Sequence, residues 1–141
     1  VPPHVRPAYL GLVFLGGVSG TLARSGIAAA LPTPAGLPLG IFLINIAGAF
    51  GLGLLLEALA RRGADHGRRR ALRLLLGTGF LGGFTTYSAL AVDSALLLGG
   101  DWPVEGVTYL AVSVLVGLGA TAAGIAVGSR TRPCAAPGNA P

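Results

Sequence analysis

The stretch Gly77-Thr78-Gly79-Phe80-Leu81-Gly82-Gly83-Phe84-Thr85-Thr86-Tyr87-Ser88 lies inside an apolar segment long enough to cross a bilayer. Four glycines and an adjacent pair of threonines within ten residues exceed what a plain spanning helix requires. In lipid, irregular backbone is tolerated only where protein covers it or where it lines a watery cavity. The stretch therefore predicts an uncoiled break in a membrane helix, with carbonyl oxygens freed to meet an ion.

The segment around this break runs from Leu72 to Leu98. Three other apolar segments accompany it: Ala8 to Ala30, Leu39 to Leu59 and Val107 to Val127. Each reaches the roughly 20 residues that cross the hydrocarbon core. The first is too long and too rich in glycine for a signal peptide, so it reads as a retained span. Prolines at 32, 34 and 38 mark a tight turn after it. Residues 61–70 form a polar loop, and Gly99-Gly100-Asp101-Trp102-Pro103 a short turn whose tryptophan suits an interface.

Composition agrees with lipid as the solvent. Of 141 residues, 52% are hydrophobic and 11% charged, against about 25% charged in soluble domains. The 24 glycines let membrane helices approach closely. The organisation expected is an N-terminal segment (1–7), one four-helix domain (8–128) and a disordered tail (129–141) rich in Pro and Ala. The single cysteine, Cys134, has no internal disulfide partner.

Charge placement predicts topology. Arg6, Arg61, Arg62, Arg68, Arg69, Arg70, Arg73, Arg130 and Arg132 fall on one side, and Asp93, Asp101 and Glu105 on the other. Cytoplasmic loops collect basic residues, so both termini are expected in the cytoplasm of a plasma-membrane protein. The Arg68-Arg69-Arg70 run reads as a topology signal at the membrane surface, and nothing else resembles a nucleic-acid module.

Polar residues inside the spans are few. Asn45 is central in the second, and Arg24 lies near the far end of the first. Tyr109 and Ser113 are four apart on one helical face, which continues to Gly117 and Thr121. That face serves equally as a hydroxyl track for a partly dehydrated ion or as helix–helix hydrogen bonding. Asn45 carries the same two readings. No mid-membrane carboxylate, lysine or histidine is expected, so passive conduction fits better than proton antiport. No nucleophile–base pair or metal-ligand cluster points to an enzyme.

Three motifs in order resemble the CrcB/Fluc family of fluoride channels: Gly16-Gly17-Val18-Ser19-Gly20-Thr21-Leu22-Ala23-Arg24, Asn45-Ile46-Ala47-Gly48-Ala49-Phe50, and Gly79 to Ser88. The resemblance implies an all-α membrane protein of four transmembrane helices with a broken third helix, paired as an antiparallel, dual-topology dimer. It implies a structural Na+ at the dimer centre, held by the backbone carbonyls of Gly82 and Thr85. It places Asn45, Tyr87, Ser88, Tyr109 and Ser113 along a fluoride pathway, with Arg24 near a vestibule. The family uses two phenylalanines three residues apart. This chain has Tyr87 and Leu90 there, with Ala89 between them, and Ile41 one turn before Asn45.

Two functions follow as expectations. One is a channel subunit that exports cytoplasmic fluoride passively and so limits its toxicity. The other is a non-conducting structural partner of a homologous subunit, because a chain with so strong an arginine bias resists inserting both ways. A four-helix multidrug antiporter would need a deep carboxylate in the first span, which has none.

Overall fold

The computed structural model describes residues 6–31 and 38–131. Residues 32–37 of the proline-rich turn, Arg132, Cys134 and the remaining tail lie outside the described residues.

Pro7 sits in the first turn of α1 (Pro7–Ala30), where its missing N–H had no helical acceptor to lose. The helix ends at Leu31, which is extended, as suits a residue preceding proline. α2 (Leu39–Ala60) closes with Glu57 one turn before Arg61, the two joined at 2.8 Å. The third apolar stretch is composite. α3 (Gly67–Leu72) leads into a π-helix (Arg73–Leu81) and a single turn, α4 (Gly82–Phe84). Thr85 (φ −79°, ψ 157°) and Thr86 (φ −148°, ψ 123°) are extended. α5 (Tyr87–Gly99) then resumes. α6 (Pro103–Gly128) starts on a proline with Glu105 in its first turn, where a carboxylate complements the helix dipole.

Among the described residues, four helical stretches are long and apolar enough to cross a membrane: Pro7–Ala30, Leu39–Ala60, Gly67–Gly99 and Pro103–Gly128. The chain is an all-helical, multi-pass membrane protein, with no strand among the described residues. The extended backbone is narrower than the sequence suggested. Residues 77–84 are wound, and only Thr85 and Thr86 depart from helix. The glycines of that run have a packing reason instead.

α1 lies along the π-helix and α4, α2 along α6, and α5 along α6. Lipid gives no hydrophobic drive between helices, so close backbone approach and dispersion hold them. A Cβ on Gly79 would stand 2.9 Å from the Gly16 Cα, and one on Gly20 would strike the Phe80 carbonyl. On the other seam, a Cβ on Gly124 would strike the Phe50 carbonyl. Phe14, Leu96 and Leu115 point outward, as lipid-facing side chains do.

The start of α1, the loop at 61–66 and the end of α6 share one end of the bundle. Tyr9 and Leu10 border a groove with Arg70 and Arg73, and Gly128 meets Leu54 and Glu57. The loop is pinned there. Arg73 donates to both Asp65 carboxylate oxygens, at 3.1 and 2.7 Å, and Arg70 donates to the Asp65 carbonyl at 2.6 Å. The Arg73 hydrogen bonds hold the Asp65 carboxyl below its ordinary 3.8, with Arg70 adding to the effect. A depressed carboxyl contributes stability above its unfolded pKa and loses it as pH falls through the folded one. The pin is therefore intact at neutral pH and released only in acid, below 3.8. Hydrogen exchange, corrected for intrinsic rates, should show residues 64–70 losing protection there, and Asp65→Asn should remove that acid step.

Candidate ion pathway

Thr86 carries the interruption, and Asn45 pays its hydrogen-bond debt. The Thr86 N–H donates to Asn45 Oδ1 at 2.8 Å, and Asn45 Nδ2 donates to the Thr86 carbonyl at 2.9 Å. One side-chain amide thus pairs both backbone groups of an extended residue that lipid would leave unsatisfied. The Thr86 hydroxyl caps α5, accepting from the Ala89 N–H at 3.2 Å. It also lies 3.2 Å from the Ser88 hydroxyl.

These bonds redirect two amides. In a continuous α-helix the Thr86 N–H would return to the Gly82 carbonyl, and the Ala89 N–H to the Thr85 carbonyl. Here they go to Asn45 and to the Thr86 hydroxyl. The Gly82 and Thr85 carbonyls therefore lack their α-helical partners. Upstream, the Leu81 carbonyl accepts both the Thr85 N–H at 3.0 Å and its hydroxyl at 2.9 Å.

Asn45, Gly82, Thr85, Tyr87 and Ser113 all line one open cleft of about 480 Å³, joined by Thr86, Leu90, Gly117 and Thr121. Among the described residues, no Asp, Glu, Lys, Arg or His lines it. Several of its hydroxyls are committed to backbone, including Thr121 to the Gly117 carbonyl at 3.0 Å. The Ser113 hydroxyl is buried and has no partner. Asn45 keeps one Nδ2 hydrogen beyond the bond to Thr86. The cleft therefore offers neutral donors without a fixed charge, a chemistry suited to a desolvated anion.

The CrcB-like protein, Camphor Resistance (CrcB) family matches residues 11–125, most of the chain and all four spans. This chain belongs to the CrcB family. Among its relatives is a protein of Leifsonia xyli subsp. xyli named fluoride-specific ion channel FluC 2. It is 50% identical over 128 residues, 91% of this chain and 88% of that protein. A fluoride-specific ion channel FluC 1 of Cutibacterium acnes is 54% identical over 114 residues, 79% of each chain. A fluoride-specific ion channel FluC of Paracoccus denitrificans is 44% identical over 118 residues, 82% of this chain and 90% of that one.

Three of the polar positions marked in this CrcB-family sequence stand apart from the cleft. Tyr109 is buried, its hydroxyl 3.4 Å from the Pro38 carbonyl, and it borders a separate groove with Phe42 and Glu105. Ser88 is exposed beside Thr86. Arg24 lies on α1 with its Nε buried and unpartnered. Tyr87 lines the cleft but is 80% exposed, so this chain alone leaves its ring uncovered.

Sequence reasoning missed two residues. Thr86 stands in the sequence only as one of an adjacent threonine pair, and its capping role becomes legible when that pair is read as a helix restart. The charge pattern groups Asp93 with Asp101 and Glu105 on the side opposite the arginines, and the expectation of no carboxylate within the spans overlooks it. Asp93 lies in the middle of α5 with Oδ2 buried and unpartnered. Its place inside the apolar run from Tyr87 to Leu98 was the available signal.

Proposed function

We propose that this chain is a subunit of a fluoride-specific channel that lets fluoride leave the cytoplasm passively across the plasma membrane. The observation that carries this reading is the buried, unpartnered Ser113 hydroxyl in an uncharged cleft shared with Asn45. Fluoride is small, hard and tightly hydrated, so its path must replace water with N–H and O–H donors. Ser113 and the remaining Asn45 N–H supply such donors, and Tyr87 adds a phenol and a ring edge of partial positive charge. A neutral lining binds the anion weakly enough for it to leave again. The arginine-rich end is the cytoplasmic one in this reading.

The uncovered Tyr87 and the open cleft favour a second, antiparallel copy seated against the interruption. The Gly82 and Thr85 carbonyls fit a hard monovalent cation there, since oxygen ligands suit it and both lack helical partners. A structural Na+ between two copies would draw these two carbonyls from each. It would hold the copies together and take no part in moving the anion.

Ser113→Ala tests the pathway. Losing one hydrogen bond to an ion corresponds to about 1.5–3 kcal/mol, or roughly ten- to a hundredfold in flux. Fluoride efflux from proteoliposomes should fall by that factor, while thermal unfolding stays unchanged because the hydroxyl has no protein partner to lose. Unchanged efflux would remove Ser113 from the path.

A second reading is favoured by the arginine bias, which opposes insertion in both orientations. In it, the chain is the structural partner of an oppositely oriented homologue. Efflux from vesicles holding this chain alone, compared with vesicles holding both, separates the two.

A further inference from the structure

The end of the bundle away from the interruption's capped helix carries a groove that ion conduction does not use. It lies between the first turns of α1 and the start of the π-helix and measures about 280 Å³. One part of its lining is apolar, formed by Leu10, Val13 and Leu74. The other is polar, formed by Tyr9, Arg70 and Arg73 around Asp65. We propose that this groove seats an anionic phospholipid, its headgroup phosphate against Arg70 and Arg73 and an acyl chain along Leu10 and Val13.

Three observations argue for a lipid. The groove is amphiphilic in the same sense as a phospholipid, with cations where a spanning helix meets the surface and aliphatic groups further along it. Free phosphate has no use for the apolar wall. Tyr9 stands at the start of a span, the level at which amphipathic rings sit among headgroups. The charge is unbalanced: two arginines line the groove against Asp65, the one acid among the described residues that line it, and Arg68 and Arg69 adjoin Arg70 in the sequence.

The two guanidiniums are also pre-ordered. Asp65 fixes Arg73 through two donors and Arg70 through its own carbonyl, so little side-chain freedom remains to be lost on binding. A guanidinium has several N–H donors in a fork that matches phosphate, and Asp65 engages two of those of Arg73. Asp65 thus does two opposing things. It holds the arginines in place, and it competes with the headgroup for them.

That competition gives the test its sign. Native mass spectrometry of the full chain, titrated with phosphatidylglycerol or phosphatidylcholine, reads the preference directly and does not depend on fluoride transport. The wild type should retain phosphatidylglycerol selectively. Arg70→Gln should weaken that retention about fivefold, the effect of one arginine at an anionic surface. Asp65→Asn should strengthen it, because the competing charge is gone while the side chain can still accept from Arg73. Leu10→Trp fills the apolar wall without altering charge and should weaken retention, which keeps the test open should Arg70→Gln fold poorly. Equal retention of the two lipids, weaker binding in Asp65→Asn, or full displacement by inorganic phosphate would each overturn the proposal.

Discussion

Asn45→Leu should abolish fluoride efflux and loosen the third span together. The amide does two jobs, because the atoms that pair Thr86 also present a donor to the cleft. Leucine would leave the Thr86 N–H and carbonyl unpaired in lipid. An unmade buried hydrogen bond costs about 1–3 kcal/mol per group, so the pair amounts to about 2–6 kcal/mol. That is a large part of the ~5–15 kcal/mol that holds a typical domain folded. Thermal unfolding in detergent should therefore shift downward alongside the loss of efflux. Ser113→Ala is the control, since it removes a donor and breaks no internal bond. An Asn45→Leu protein that melts like the wild type would show that the Thr86 clamp is dispensable.

Adjacent glycines should behave oppositely. A Cβ on Gly83 would lie 3.1 Å from the Gly17 Cα and closer still to its carbonyl oxygen. Gly83→Val should damage the chain itself, since overpacking costs about 1–3 kcal/mol and backbone cannot step aside as a side chain can. Gly82 is different. It is exposed, its φ of −64° and ψ of −37° suit any residue, and a Cβ there meets nothing nearer than the Gly77 carbonyl at 3.9 Å. Gly82→Val should leave one chain folded and act only where something else approaches that face. Under the dimer and sodium reading, it should lower oligomer yield in crosslinking and mass measurements and lower efflux, with little change in the melting of the separate chain. Wild-type assembly and efflux in Gly82→Val would remove the cation from that face.

The spans were legible because lipid imposes a simple rule on composition, and prolines 7, 32 and 103 punctuate them where helices begin or end. The interruption was legible in place and misread in cause. The glycines at 77, 79 and 83 drew attention to the right segment, yet they serve close approach between helices: Gly79 and Gly83 meet the backbone of α1. The extended backbone belongs to the threonines, whose side chains offer hydrogen bonds that compete with helix. Asn45 was visible as a lone amide, but its partner 41 residues away was not. Pairing across that distance is a property of packing, which one-dimensional periodicity does not encode. The π-helix had no signature at all, since its apolar pattern over nine residues is too short to separate from an α-helix.

That wider winding sets the rotational phase between the two ends of the third crossing. Bonds closing five residues back take up about one more residue per turn than those closing four. Winding the same residues between Arg73 and Leu81 as plain α-helix, with none removed, would tighten a turn by about one residue. Everything downstream would then swing about 100° around the axis relative to Arg73, which Asp65 tethers at the surface. The bare oxygens of Gly82 and Thr85 would face a different neighbour, although every side chain in the cleft had kept its identity.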